Sequence, residues 1–275
     1  MPTSRIAIVG VGQVGAAAAY ALILGSIASE LLLVDKNGKP KDAVVATQAY
    51  TAVGQTDPEY VHRNISTVRT IIDGMMPLKS NAILLVVSSP VDLLTSLALQ
   101  ISQLPPSQVL GSGTYLDSIR LRGMLADRIG VAAKSIDAFV LGVQGESQVT
   151  AWSAATIGGV PINECLSKAA LINCAEFSRE CQHRSQSIMR AKGTTPFGIG
   201  SAVSSICSSI ILDKGAIHPV SHFQPSFGCC FSLPVVLGKG GIQRKVQISL
   251  DFDEDVQITD SATALKRMID QVHNG

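Results

Sequence analysis

What this sequence lacks already excludes several functions. It has almost no charge imbalance, with Lys+Arg 22 against Asp+Glu 21 and a formal net charge of +1, and aromatic residues make up only 4%. A nucleic-acid binder needs a basic face for phosphates and rings for base stacking, so no nucleic-acid partner is expected. Long uninterrupted apolar runs are missing too. The most apolar window, residues 14–34, is broken by Gly25, Ser26, Ser29 and Glu30. It divides into a small-residue helix followed by a strand rather than forming a membrane span. The first five residues, MPTSR, run straight into a strand and leave no room for a secretory leader. No membrane partner and a cytoplasmic location are therefore expected. Among the six cysteines, at 165, 174, 181, 207, 229 and 230, there is no C-x-x-C pair. Reduced, mostly buried thiols follow, and no metal is implied.

What is present is apolar and alternating. The chain is 46% hydrophobic over 275 residues, enough for two lobes. Residues 5–10 (RIAIVG), 31–35 (LLLVD), 82–92 (AILLVVSSPVD) and 108–113 (QVLGSG) are continuous apolar runs. Parallel strands buried on both faces read this way. Helical stretches fall between them at about 13–25, 59–78 and 92–103, which is the pattern of a doubly wound sheet. Beyond Gly113 the texture changes. Strands are predicted at 137–143, 229–237 and 245–250, interleaved with helices at about 117–129, 168–192 and 259–273. The last-but-one places Leu171, Cys174, Phe177, Cys181 and Ile188 on one face and stops at Gly193. The expected division is a dinucleotide-binding lobe over 1–112 and an α+β lobe over 113–275.

One motif carries specific chemistry. Gly10-Val-Gly12-Gln-Val-Gly15 follows a strand, opens a helix, and has Asp35 at the end of the next strand. Glycines there permit a tight turn and close approach of a pyrophosphate to the helix N-terminus, while the acid accepts from ribose hydroxyls. An acid at that place favours NAD over NADP.

With this motif in place, the chain resembles the L-lactate/malate dehydrogenase family over nearly its whole length, and its lactate branch most. The matching stretches are the glycine motif, Asp35, 88–95 (SSPVDLLT), 110–122 (LGSGTYLDSIRLR), 141–147 (LGVQGES), 191–200 (AKGTTPFGIG) and 217–221 (IHPVS). The resemblance implies a Rossmann-like sheet, a C-terminal α+β domain and hydride exchange with NAD. It makes Asp117 the acid that orients a catalytic histidine, Arg120 the carboxylate clamp, and Thr195 a threonine of the substrate pocket. It makes His218 structural, and Pro219 beside it argues for extended chain rather than a helical metal pair with His222.

Two departures weigh against that activity. The histidine position is Gln144, and an amide bonds to hydrogen but does not titrate, so it cannot exchange a proton with an alkoxide. Ser89 stands where the family has an asparagine near the nicotinamide. In addition, only residues 36–88 separate Asp35 from Ser89, and 59–88 is used by one helix and one strand. Residues 36–58 are too few for two further strands with crossovers of a dozen or more residues each. The sheet is expected to lack one or two strands, so that 82–88 pairs directly with 5–9 or residues 42–53 supply a substitute. Those residues suit a helix by their alanines and a strand by their valines. The polarising arginine of the missing loop has no counterpart, since Arg63 and Arg69 lie on the following helix.

The expected function is therefore non-redox: isomerisation, cyclisation or another rearrangement of a small carbonyl or carboxylate substrate. Arg120 would anchor it, Gln144 would bond a carbonyl or enolate, and Asp117 would move a proton or simply pair with Arg120. That chemistry requires no cofactor. Two alternatives stand beside it: an inactive binding or oligomerisation module, and an NAD-dependent 2-hydroxy acid oxidoreductase with another proton donor. A homodimer or homotetramer is expected in each case.

Overall fold

The apolar runs become the strands of one sheet. In the computed structural model, which describes residues 4–35, 43–46, 58–165, 173–192 and 195–274, β1 (Arg5–Val9), β2 (Glu30–Val34), β3 (Ala43–Ala46), β4 (Ile83–Val86) and β5 (Val109–Gly111) run parallel. Between and after them come α1 (Gln13–Leu24), α2 (Pro58–Met75), α3 (Val91–Ser102) and α4 (Tyr115–Ile129). The second lobe adds α5 (Cys174–Lys192), α6 (Pro196–Ile211), β6 (Ala216–Gln224), β7 (Cys229–Gly238), β8 (Gly241–Lys245) and α7 (Phe252–Asn274). Strand order is β8-β7-β6-β5-β4-β3-β1-β2. The antiparallel β6–β7 hairpin joins the parallel half where Ser221 pairs with Gly111, so both lobes share one sheet.

β3 settles the question left by the short interval. It lies between β1 and β4, pairing Ala7 with Val44 and Ala43 with Ile83. Strand 82–88 does not meet β1 directly; part of the ambiguous 42–53 stretch takes the intervening place. Its valines favour a strand more than its alanines favour a helix. Among the described residues β2 is the outermost strand of the sheet. From β1 to β5 the described strands stand in the order β1-β3-β4-β5.

Three other expectations shift. Residues 137–143 divide into the short strands Ile136–Asp137 and Val140–Leu141, and the last strand is Gly241–Lys245 instead of 245–250. Helix α6 and the length of β6 go beyond the sequence reading. The described part of the 168–192 helix begins at Cys174, with Phe177 and Cys181 buried as its periodicity implies; Leu171 and Gly193 lie outside the described residues.

Packing fixes where the helices start and how near they come. Helix α3 is buried almost all round, with Leu93, Leu94, Leu97 and Ala98 in the core, because the sheet covers one side and α2 and α7 the other. Each such leucine contributes about 1.5–3 kcal/mol by leaving water. Helix α1 is an alanine helix, a composition with strong helical propensity and small side chains. It packs on α6 so closely that a Cβ at Gly200 would stand 2.8 Å from the carbonyl carbon and oxygen of Ala17. Gly200→Val is expected to force the two helices apart and cost about 1–3 kcal/mol, read as a lower urea midpoint at unchanged slope.

Candidate active site

The functional side chains collect at the C-terminal ends of the parallel strands, where ligands bind in sheets of this order. At the first of these ends, Gly10 leaves β1 with φ +93°, a left-handed conformation that glycine adopts without steric cost. Its N–H donates to Val34 O at 2.8 Å, tying the glycine turn to β2. Gly12 is the N-cap of α1, with no side-chain cap and no acidic residue in the first turn. The positive end of that helix is thus left to an anion. Asp35 follows β2 directly and is exposed. Gly10, Gly12, Gly15 and Asp35 fit a dinucleotide: backbone donors for its pyrophosphate and a carboxylate for its ribose.

Ser89 lies at the end of β4, half-buried. Its carbonyl accepts from Asn64 Nδ2 on α2 at 2.7 Å. Three residues further, Asp92 sits in the first turn of α3 and is fully buried. Its Oδ2 accepts the backbone N–H of Gln144 at 2.7 Å. Neither Asn64 nor Asp92 was given a role from the sequence. For Asp92 its place inside SSPVD was the only signal, and its partner stands 52 residues away.

Asp117, Arg120 and Gln144 come together. Arg120 Nη1 lies 3.4 Å from Asp117 Oδ1, with the two side chains 12% and 7% exposed. Gln144 Nε2 donates to Gly113 O at 3.0 Å and to Asp117 Oδ2 at 3.4 Å. Thr195 is the N-cap of α6, three residues before Gly198. A Cβ on Gly198 would be 3.6 Å from Arg120 Nη2, so the start of α6 borders the guanidinium. Asp117, Arg120 and Gln144 thus form one cluster, bordered by the start of the helix that Thr195 caps and joined to Asp92 through the Gln144 backbone.

Burial sets the charge states here. It raises the Asp117 carboxyl above the ordinary range, although the Arg120 cation and the bonds from Gln144 and Arg120 pull it back. Desolvation pushes Asp92 up to about 6, against smaller opposing effects from Ser221 and the Gln144 amide. Asp92 Oδ1 and Ser221 Oγ face that buried space without closing a hydrogen bond. Because the folded form of Asp92 holds its proton more tightly than the unfolded chain does, its contribution to stability is greatest at acid pH and is lost as pH rises through about 6. Asp92→Asn removes that dependence. Relative to the parent, the variant is expected to gain on the order of 3 kcal/mol between acid and mildly alkaline conditions, measured by urea denaturation at both ends.

The remaining titratable candidates are structural, as expected. His218 Nε2 pairs with Ser209 Oγ at 2.8 Å and its ring meets Tyr115 edge-on at 4.2 Å. His222 Nδ1 pairs with Val220 O at 2.9 Å. Burial pushes both down to about 4, so neither is charged near neutral pH. Cys181, Cys207, Cys229 and Cys230 are buried, Cys174 is half-buried and Cys165 exposed, all as free thiols. Among the described residues no cluster of three His, Cys, Asp or Glu could hold a metal ion. No described helix is long and apolar enough to cross a membrane.

Comparison with known proteins agrees with this geometry. Residues 41–111 match the family model for the NAD binding domain of lactate/malate dehydrogenase, and residues 114–275 match that for its alpha/beta C-terminal domain. L-lactate dehydrogenase A of Rhizopus oryzae is 36% identical over 293 residues, covering 96% of this chain and 91% of that protein. L-lactate dehydrogenase of Synechococcus sp. (strain JA-3-3Ab) is 33% identical over 300 residues, covering 96% and 98%. The crystal structure of minor L-lactate dehydrogenase from Enterococcus mundtii, in its ligands-bound form, superposes with a TM-score of 0.91 at 29% identity, covering 98% of each chain. These relatives overturn the non-redox expectation: the proteins that match along the whole chain are dehydrogenases. The shortened interval and Gln144 had been weighed against hydride chemistry, whereas β3 stands between β1 and β4 and keeps the interior strand order.

Proposed function

Since this chain belongs to the lactate/malate dehydrogenase family, we propose that it is an NAD-dependent oxidoreductase acting on a small 2-hydroxy acid of the lactate type. The observation that carries this reading is β3 between β1 and β4, which preserves the switch point beside the glycine turn where dinucleotides bind. The glycine turn and Asp35 would hold NAD, and bound there it supplies or accepts the hydride.

The chain's own residues do the rest. Arg120 binds the substrate carboxylate through its planar fork. The start of α6, with Thr195, walls the same pocket. Gln144 holds Asp117 in place, its Nε2 donating to Gly113 O and Asp117 Oδ2, and its lack of a titratable proton leaves acid chemistry to another group. Asp117 is the buried acid in contact with Gln144, and desolvation raises its affinity for a proton. It delivers that proton to the substrate oxygen directly or through one water molecule. This arrangement substitutes for an imidazole at some loss of speed. The reading also assembles the chain as a homodimer or homotetramer, supported by Tyr20, Ile23, Leu24 and Phe197, which leave α1 and the start of α6 apolar and exposed. Turnover of NADH with a panel of 2-oxo acids tests the proposal: saturable oxidation dependent on a carboxylate substrate is expected, and tight NADH binding without turnover would leave the chain a binding module.

A further inference from the structure

The loop that carries Gln144 is held from both lobes. Asp92, at the start of α3, accepts the Gln144 backbone N–H at 2.7 Å. From the opposite side Gln182 of α5 donates to the carbonyls of Gly145, at 3.3 Å, and of Glu146. Asp92 is 2% exposed, so water does not compete for its bond. Burying a carboxyl with Oδ1 unmatched costs stability, and its other oxygen bonds the residue at the centre of the site. Gln144 in turn spans Gly113 and Asp117, so a displacement of its backbone moves its amide against the proton-bearing carboxyl.

We propose that Asp92 is a positioning residue for the reaction, holding the Gln144 backbone from the cofactor lobe so that its side chain keeps the proton-bearing Asp117 in register with the substrate. This rests on the dehydrogenase reading above. Loss of the Asp92 acceptor should loosen one loop and slow one step, leaving substrate and cofactor affinity in place.

The test compares Asp92→Ala, which removes the acceptor, with Asp92→Asn, which keeps one oxygen able to accept. Hydrogen exchange of segment 142–148 is expected to quicken by about ten- to hundredfold in Asp92→Ala and to return toward the parent rate in Asp92→Asn. In the same pair kcat is expected to fall by about ten- to hundredfold and then recover. KM for the 2-oxo acid and Kd for NADH stay within roughly threefold, the pattern of an interaction lost from the transition state alone. Unchanged exchange over 142–148, or a parallel loss of kcat, KM and NADH binding, overturns the proposal. Should Asp92→Ala fail to fold, Gln182→Ala frees the other end of the loop, and the same selective loss is expected; a rigid loop there counts against the clamp. A parent protein that binds NADH without turnover refutes the dehydrogenase reading, and the clamp is then decided by the exchange result.

Discussion

Asp117→Asn is expected to lower kcat for reduction of a 2-oxo acid by about 10²–10⁴ while leaving NADH binding intact. The change is isosteric and keeps a partner for Gln144, so the loss reports the proton rather than the shape of the pocket. Its size follows from what else is in reach. Gln144 cannot titrate, and His218 and His222 are committed to Ser209, Val220 and Gln224 within the sheet. Asp117 is held above the usual carboxylate range by burial that outweighs the attraction of Arg120. Reduction consumes its protonated form, so the rate of the parent is expected to fall as pH rises through that raised value, and the variant to lose this limb. The complementary change, Gln144→His, places an imidazole against Asp117 and is expected to raise kcat by about 10²-fold, checked in the same assay.

Arg120→Gln is expected to reduce kcat/KM for 2-oxo acids by roughly 30- to 5,000-fold, because truncating one partner of a desolvated charge pair costs about 2–5 kcal/mol. Arg120→Lys should fall between the two, since it keeps the charge and loses the fork that meets a carboxylate with two parallel bonds. Two comparisons isolate the anchoring role. A methyl ester of the same 2-oxo acid should be a poor substrate for the parent and nearly indifferent to either change. Thermal stability should move little beside the kinetic effect, because Asp117 Oδ2 keeps its bond from Gln144 when the cation is gone. A variant that discriminates acid from ester as well as the parent would remove Arg120 from the substrate site.

The parts of this molecule that were legible in sequence are those whose reason is local. The glycine turn, its strand and Asp35 are within one βα unit, and the periodicity of buried residues marks β1, β4 and α3. Helix α6 was not legible, because glycines at 198 and 200 lower helical propensity; Gly200 makes sense only once Ala17 of α1 is brought against it. Pro219 pointed to extended chain but not to the full length of β6, in which it faces Pro234 across the hairpin. In the site, Asp117 and Arg120 share one helical turn and could be paired on paper. Asp92 could not, since its partner Gln144 is reached only by folding the two lobes together. The functional error had a similar origin. Asp117 was given a proton to move only in non-redox chemistry, because Gln144 does not titrate and the 42–53 stretch was left undecided although part of it takes the place between β1 and β4.

The central claim is that this chain passes hydride between a nicotinamide and the second carbon of a 2-hydroxy acid. Incubating the purified protein with NADH carrying deuterium at the transferable position, together with pyruvate, and analysing the product by mass spectrometry tests it most directly. The account predicts lactate bearing one deuterium at the second carbon, formed stoichiometrically with NAD and diminished in Asp117→Asn. Unlabelled product, or no lactate at saturating NADH and pyruvate, would contradict it.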